Sequence, residues 1–526
     1  MTDRYDIVIV GSGMNSLVCA AILARAGKRV VVLERNEWIG GCIRTEELFP
    51  GFTHDVLSSW YPLFTGGPAY AELADELHDK GLVFVNTTTP TGVLLPDGRS
   101  LVFGTDRAEN VRRMNEVAAG DGDRFAAAMD RFLERDAAIS FGLLGNEIWS
   151  RSTAKLLMRE ARRRSVKGVA AFFGEGLETC RAWLERDIRS DTVRALIAPW
   201  VLHNGLGPDD AFSGLIGKVI IAALEMGGLP VVVGGSKHIV GVFRTIVEER
   251  GGAMWTGVEV EEVLLTGKKA TGVRTVNGDV YEAADAVICN VTPTQLYGRL
   301  LPSDVVPETV AEPARAYRYG RADMQIHFAL GASPAWSDPE MGQVALVHLT
   351  DGLDGVSRAV NEAGRGLLPA RATVVVGQPT AVDPSRAPKG SAILWIQLQE
   401  LPSTIDGDAA GEIDVPADGR WNEEVREAYA DRIQARLAEH VENLDEIVVG
   451  RRTFSPGDLE SLNVNLVGGD PYSGSCTIDQ FLLWRPFPGS RGHRTAIKNV
   501  FHIGASTHPG PGLGGNSGYL VGKALS

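Results

Sequence analysis

The sequence predicts an α/β fold: a Rossmann-like nucleotide-binding domain assembled from discontinuous segments, a mixed α+β second domain and a helical subregion. Three observations lead there. A strand, a glycine turn, a helix, a second strand and a terminal acid follow one another within residues 5–45. A strand-rich segment at 258–290 and a glycine-dense segment at 499–525 read as later returns to that first domain. The stretches between change period, helical over 107–226 and mixed, with alternating strands, over 302–485. The expected division is 1–80, 228–300 and 489–526 for the nucleotide-binding domain, and 81–227 with 301–488 for the second domain.

The opening unit carries the most chemistry. Residues 6–10 are a short apolar run rich in β-branched side chains, the pattern of a buried strand. Gly11 permits the tight turn that follows, and Gly13 lets the backbone approach a pyrophosphate. The third glycine of the usual GxGxxG spacing is Ser16, still small enough for close helix–strand packing. Ala20, Ala21, Leu23 and Ala24 lie on a small-residue helix that ends at Gly27. Residues 29–33 form the second strand, and Glu34 closes it where a carboxylate can take ribose hydroxyls. Gly40 and Gly41 favour a flavin over a nicotinamide, because a glycine pair there lets the chain pass close beneath an extended FAD. With a single fingerprint and no CxxC pair, no second domain for NAD(P) is expected.

Bulk properties narrow the partners. A chain of 526 residues is long enough for two or more domains and a large core. Its net charge of −14 argues against a nucleic-acid partner, which requires a basic face. No window of 18 uncharged apolar residues predicts a transmembrane helix. No signal peptide is expected before the first strand, and five dispersed cysteines without CxxC suggest a reducing compartment and no structural metal. The expected location is cytoplasmic, with peripheral contact at a membrane open.

Along the rest of the chain, Pro50 and Gly51 mark a turn, after which His54, Asp55, Trp60 and Tyr61 fall close to the flavin loop at 40–44. They read either as cavity-lining residues or as core aromatics beside a turn aspartate. Residues 81–103 look β-rich. The basic run at 159–167 (REARRRSVK) is either a solvated helix face or a contact for anionic lipid headgroups. Residues 212–226 form a strongly apolar helix, too short for a span and expected as a cavity wall with Trp60 or Tyr61. Asn277-Gly278 marks a hairpin turn, 284–290 a buried strand, 406–419 a surface loop and 421–444 an amphipathic helix. A strand at 500–503 then leads through glycines to a helix starting near Gly514. Its N-terminus offers free N–H groups and is expected to face the pyrimidine end of a flavin.

Six stretches together resemble one family along nearly the whole chain: VIVGSGMNSLVCAAILARAGKRVVVLE, PGFTHDV, LPVVVGGSKHIV, ADAVICNVTP, GGDPYSGSCTIDQFLLWRPFPG and FHIGASTHPGPGLGG. The family is the phytoene desaturase-like FAD-dependent oxidoreductases of the flavin amine oxidase superfamily, and the branch is similar to the phytoene dehydrogenase-related proteins. Ser16 departs from its pattern, as does Lys237, where relatives often carry glycine. The resemblance implies FAD held by Gly11, Gly13, Met14, Asn15, Glu34, Arg35, Gly41, Arg44, Val260, Gly504, Pro509, Gly514 and Gly515. It also implies hydride transfer from a C–H bond of an apolar or amphipathic molecule, leaving a C=C bond, although some relatives saturate or isomerise.

Three functions stay open: such a dehydrogenase or desaturase passing electrons to oxygen or a quinone, an amine oxidase acting at C–N, and a non-catalytic flavoprotein used as a binding or assembly factor. Hydride transfer to a flavin needs little from the protein beyond orientation. If a base is used, His508, His203, and His54 with Asp55 are the candidates. Each also reads as a hydrogen-bonded structural residue. Cys42 beside the flavin loop reads as a buried free thiol.

Overall fold

The computed structural model describes residues 2–526. Two seven-stranded sheets organise it, and the α/β class expected from the sequence is the fold found. In the first sheet the strands run Val260–Thr266, Lys269–Thr275, Val280–Asn290, Thr2–Val10, Val30–Leu33 and Ala253–Trp255, with Val500–Ile503 also paired to Val280–Asn290. The central pairings are parallel: Ile7 lies opposite Ala286 and Val30, and Val287 opposite Val500. A parallel sheet is covered on both faces, which is why these strands read as unbroken apolar runs. One face (Ile7, Ile9, Val30, Val32) packs on the helices Met14–Arg25, Lys237–Glu248 and Asn516–Leu525. The other (Val8, Val10, Val31, Leu33) packs on Leu296, Leu300 and their neighbours.

The second sheet runs Val448–Phe454, Ala322–Leu330, Ala392–Leu401, Val374–Gly377, Leu346–Leu349, Thr91–Leu94 and Ser100–Phe103. Its two long strands are antiparallel, with Met324 opposite Leu398 and Gln325 opposite Gln397. Ala322, Met324, Ile326 and Phe328 point to one side, into a core closed by Val425, Tyr429 and Ile433 of the helix Glu423–Ala438. The opposite side is polar in its centre.

The region expected to be helical holds Arg107–Val117, Asp121–Arg131, Arg151–Gly176, Cys180–Asp187, Asp191–Ile197 and Ser213–Gly227, among shorter pieces. The helix Ser213–Gly227 starts one residue later than expected, because Phe212 takes a left-handed φ of 80° and ends the preceding turn. The long helix Arg151–Gly176 breaks at Ser165, φ 69°. The basic run crosses that break, and two of its cations are spent locally: buried Glu160 accepts from Arg163 at 2.9 Å and Arg164 at 3.0 Å. The expected loop at 406–419 contributes one short strand, Gly407–Asp408, paired with Leu367–Leu368. Among the described residues no helix is long and apolar enough to cross a membrane.

Candidate functional site

The site is built where three separated segments meet at the C-terminal ends of parallel strands, the place where open α/β sheets bind ligands. Gly11 follows the strand Thr2–Val10 with φ 84°, and a side chain there would place its Cβ 2.9 Å from the Asn290 carbonyl oxygen. The Ser12 N–H and hydroxyl both donate to Glu34 Oε2, at 3.0 and 2.6 Å, and the Asn36 N–H donates to Oε1 at 2.9 Å. Glu34 is thereby fixed at the end of its strand. No side chain caps the helix Met14–Arg25 at Gly13, which leaves the Met14 and Asn15 N–H groups for a ligand, while the Ser16 N–H donates to the Gly13 carbonyl at 2.8 Å. Ser16 uses its hydroxyl to accept from Asn290 Nδ2 at 2.9 Å while staying fully buried.

The C-terminal segment supplies a second helix start beside the first. Gly504 takes φ 116°, with its Cβ position 2.4 Å from Asn290 Oδ1. The helix begins at Asn516 rather than Gly514, because Gly515 at φ 74° is its cap and turns the chain in the left-handed region. A Cβ on Gly515 would meet Val18 at 2.6 Å, and one on Gly518 would meet the Asn15 carbonyl oxygen at 1.8 Å. Two helix N-termini, each with a glycine cap, thus lie in contact, and Asn15 Oδ1 of the first accepts from the Gly518 N–H of the second at 3.3 Å.

Orphaned donors and acceptors surround this cradle. Arg44 pairs with Glu46 and stacks on Trp38 at 3.9 Å, yet its Nη1 is buried and, among the described residues, unpartnered. Trp38 Nε1 and Asn516 Oδ1 are in the same condition. Buried polar atoms need partners, and these lie where a dinucleotide's anionic and hydroxyl groups would meet them, so the residues present fit FAD. Of the other expected contacts, Gly41 packs its Cβ position 3.2 Å from Gly13 Cα. Val260 starts its strand two residues after Val258, whose N–H donates to the Glu34 carbonyl at 2.8 Å. Arg35 is exposed, and Pro509 and Gly514 flank the turn before Gly515. Lys237 is also exposed: it opens the helix Lys237–Glu248 and touches the loop only through its N–H, 2.9 Å from Thr45 Oγ1.

Opposite the loop at 40–57 stands the polar side of the second sheet. Alternation places Asp323, Gln325 and His327 of one strand beside Trp395, Gln397 and Gln399 of the next. His348 and Val375 continue the row. His327 Nε2–H donates to the Val56 carbonyl at 3.1 Å and Trp395 Nε1–H to the Leu57 carbonyl at 3.2 Å, which ties this floor to the segment after the flavin loop. Burial pushes Asp323 up to about 8, despite the amide of Gln397 donating to its Oδ2 at 2.6 Å. Burial also drives His327 down to about 4 and His348 well below its usual range. Cys42 accepts weakly from Asn463 Nδ2 at 3.5 Å, and burial raises its thiol to about 11, leaving it neutral.

The candidate bases scatter. His203 does meet the floor: its Nε2 lies 3.1 Å from His348 Nε2, its ring stacks on Trp200 at 4.5 Å, and burial lowers it to about 3. His54 sits edge-on to His327 at 5.3 Å and is lowered to about 2 by burial and then by His327 and Arg386. Asp55 forms no acid–base pair with it. Its oxygens accept from Thr45, Ser59, the Ser236 N–H and Arg386 Nη1 at 2.5–3.0 Å, in a fully buried ion pair between positions 331 residues apart. His508 Nε2–H donates to the Asn146 carbonyl at 3.0 Å, beside the His493–Glu147 pair and away from the floor strands.

The two aromatics separate as well. Trp60 lies against Gly377 at the floor with its Nε1 unpartnered among the described residues, whereas Tyr61 is buried in the nucleotide-domain core and donates to the Ser58 carbonyl at 3.1 Å. The expected cavity wall is found elsewhere. Phe212, Leu215, Ile216 and Val219 line an apolar cavity of about 160 Å³ with Phe173, Leu177 and Trp484, within the helical subregion and without Trp60 or Tyr61.

The floor residues Asp323, Gln325, Gln397 and Gln399 escaped sequence reasoning. The signal for them was a polar residue at every second position of strands otherwise too apolar to face water.

Comparison with known proteins agrees with this geometry. The model of the flavin containing amine oxidoreductase family matches residues 17–508. Pyridine nucleotide-disulfide oxidoreductase domain-containing protein 2 of Rattus norvegicus is 24% identical over 98% of this chain and 92% of its own. The zeta-carotene-forming phytoene desaturase of Myxococcus xanthus is 25% identical over 97% and 92%. Putrescine oxidase bound to putrescine, a solved structure, superposes with a TM-score of 0.61 at 15% identity, covering 100% of this chain and 99% of its own.

Proposed function

The chain belongs to the flavin-containing amine oxidoreductase family, and from that premise we propose that it is an FAD-dependent dehydrogenase that forms a C=C bond in an apolar or amphipathic small molecule. Glu34 would hold the ribose, the helix starts after Gly13 and Gly515 would hold the pyrophosphate, and Arg44 would donate its free Nη1. When bound, FAD supplies the acceptor for a hydride from substrate carbon. The chain's residues exclude water and fix the loop: His327 and Trp395 clamp the carbonyls of Val56 and Leu57 beneath it.

The observation that carries the reading is the charge of the floor. Asp323, Gln325, Gln397, His327 and His348 line it, and burial raises Asp323 while lowering both histidines, so the uncharged form of each is favoured. An ammonium group finds no counter-charge there, and burying an unpaired charge is costly, whereas an uncharged carbon skeleton enters freely. The near full-length similarity to a phytoene desaturase supports the same choice.

Electrons then leave to oxygen or a quinone. Phe173, Leu177 and Trp484, 37%, 50% and 40% exposed, line the apolar cavity, and the first two follow the basic run closely in sequence, which supports peripheral contact with a membrane holding such substrates. The test is anaerobic reduction of the purified yellow protein by isoprenoids and by amines. Bleaching by an isoprenoid, with a product lighter by two hydrogens, is expected; bleaching by amines alone would overturn the reading.

A further inference from the structure

The floor of the site carries more unspent hydrogen-bonding capacity than an apolar substrate uses. Asp323 Oδ1, Gln325 Oε1 and Gln399 Oε1 are buried and, among the described residues, without partners, in side chains only 1%, 2% and 4% exposed. Arg321 Nε and Asn204 Nδ2 are unpartnered donors in the same neighbourhood. The neighbourhood is defined by bonds. Gln399 Nε2 donates to Tyr472 Oη at 2.9 Å, Tyr472 Oη–H donates to the Leu202 carbonyl at 2.6 Å, and Arg321 Nη2 donates to the Gly205 carbonyl at 3.1 Å. The Tyr472 ring lies against Gly205, whose Cβ position is 2.9 Å from it.

Three parts of the chain therefore converge on one spot: the two floor strands, the turn at 202–205 and the loop holding Tyr472. The other side of the same strands shows what packing alone selects. Ala322, Met324, Ile326, Leu398 and Phe328 fill it without a polar atom. Buried acceptors left empty destabilise a fold, and folded chains keep few of them. Here three of them, Asp323 Oδ1, Gln325 Oε1 and Gln399 Oε1, lie on the side that carries His327 and Trp395.

Oδ2 of Asp323 already accepts from Gln397. When Oδ2 serves as the acceptor, a protonated carboxyl carries its proton on Oδ1, and that atom then joins Arg321 Nε and Asn204 Nδ2 as a free donor. The free set so contains both donors and acceptors, and an alcohol hydroxyl, one donor with two lone pairs, uses both.

Resting on the reading of this site as that of an FAD-dependent dehydrogenase, we propose that the floor formed by Asp323, Gln325 and Gln399 with Arg321 binds a hydroxyl group of the substrate. The substrate is then a lipophilic alcohol rather than a pure hydrocarbon. Its carbon skeleton lies over the apolar part of the floor, Trp395 and Val375, and its hydroxyl fixes which C–H faces the flavin loop.

The test is a titration of the oxidised holoprotein with farnesol and with farnesene, which share a carbon skeleton, followed by the flavin absorption band. Farnesol should bind about tenfold more tightly, the value of one hydrogen bond to a site that otherwise stays unpaired. In Gln399→Leu that advantage should vanish while farnesene binds as before, which also shows that the variant is folded. Asp323→Asn, which keeps a donor in place, should retain the advantage, and Asp323→Leu should lose it. Equal binding of the two probes by the wild type, or equal weakening of both in Gln399→Leu, overturns the hydroxyl site alone. No flavin perturbation by either probe overturns both this inference and the dehydrogenase reading beneath it.

Discussion

Replacing Gly518 by alanine tests the cradle at its tightest point. The added methyl would sit 1.8 Å from the Asn15 carbonyl oxygen and 2.6 Å from its carbon, both backbone atoms of the facing helix. Ordinary contact begins near 3.4 Å, so the two helix starts must part by about 1.6 Å. Overpacking of this kind costs about 1–3 kcal/mol. FAD binds only the closed arrangement, so the strain falls on its affinity, about 5- to 150-fold. Gly522→Ala is the control one turn along the same helix. Its methyl meets side-chain atoms of Ile22 at 3.2 Å and the Cys19 carbonyl oxygen at an ordinary 3.5 Å, and alanine improves helix propensity by ~1 kcal/mol. The assay is the flavin-to-protein absorbance ratio after gel filtration, with thermal unfolding measured with and without added FAD. Gly518→Ala should elute largely colourless and regain part of its melting temperature when FAD is supplied. A yellow Gly518→Ala variant with wild-type melting would refute the placement of FAD between these two helices.

Gly515→Glu should abolish FAD retention or lower the reduction potential, since it forces Cβ to within 2.6 Å of Val18 and sets a like charge beside the expected pyrimidine end; Lys523→Glu, which breaks only a surface pair with Glu72, should change stability by ~1 kcal/mol or less. Acid should destabilise the protein below pH 6.5. His54, His203, His327, His502 and His508 have folded values of about 2–4, so the unfolded chain binds more protons between there and 6.5; each adds a loss of about 1.4 kcal/mol per pH unit, measurable by urea titration at pH 7.5, 6 and 5. Anionic vesicles should pellet the wild type, and Trp484→Ala with Phe173→Ala should release it; equal pelleting with uncharged vesicles would remove the basic run from that contact.

The strand–glycine–helix–strand unit was legible because its geometry is local. Gly11, Gly13 and Glu34 lie within one strand–helix–strand unit, and each is needed by the geometry of a turn or a strand end. The Gly504–Gly515 stretch was legible for the same reason, with the helix start displaced by the left-handed Gly515. The floor was hidden because its residues face one another across strands some 70 positions apart, as Gln325 faces Gln397. The pairing of His54 with Asp55 failed for a simple reason. Adjacent residues on a strand point to opposite sides, and Asp55 turns to Arg386, a residue that sequence reading left unmarked.

Asn290 shows why the three nucleotide segments act as one. It ends the longest strand of the first sheet and touches each piece in turn. Its carbonyl oxygen limits Gly11, its Nδ2 donates to Ser16, and its Oδ1 limits Gly504. Both neighbouring glycines are therefore restricted from a third segment as well as by the positive φ of their own turns. The strand Val280–Asn290 pairs with both the first strand and Val500–Ile503, so one strand holds the three segments in register. The chain between those pieces builds the floor, and the floor is fastened back through His327 to Val56 and Arg386 to Asp55. A variant that loosens Asn290, such as Asn290→Ala, should thus weaken FAD binding without removing any group expected to touch it.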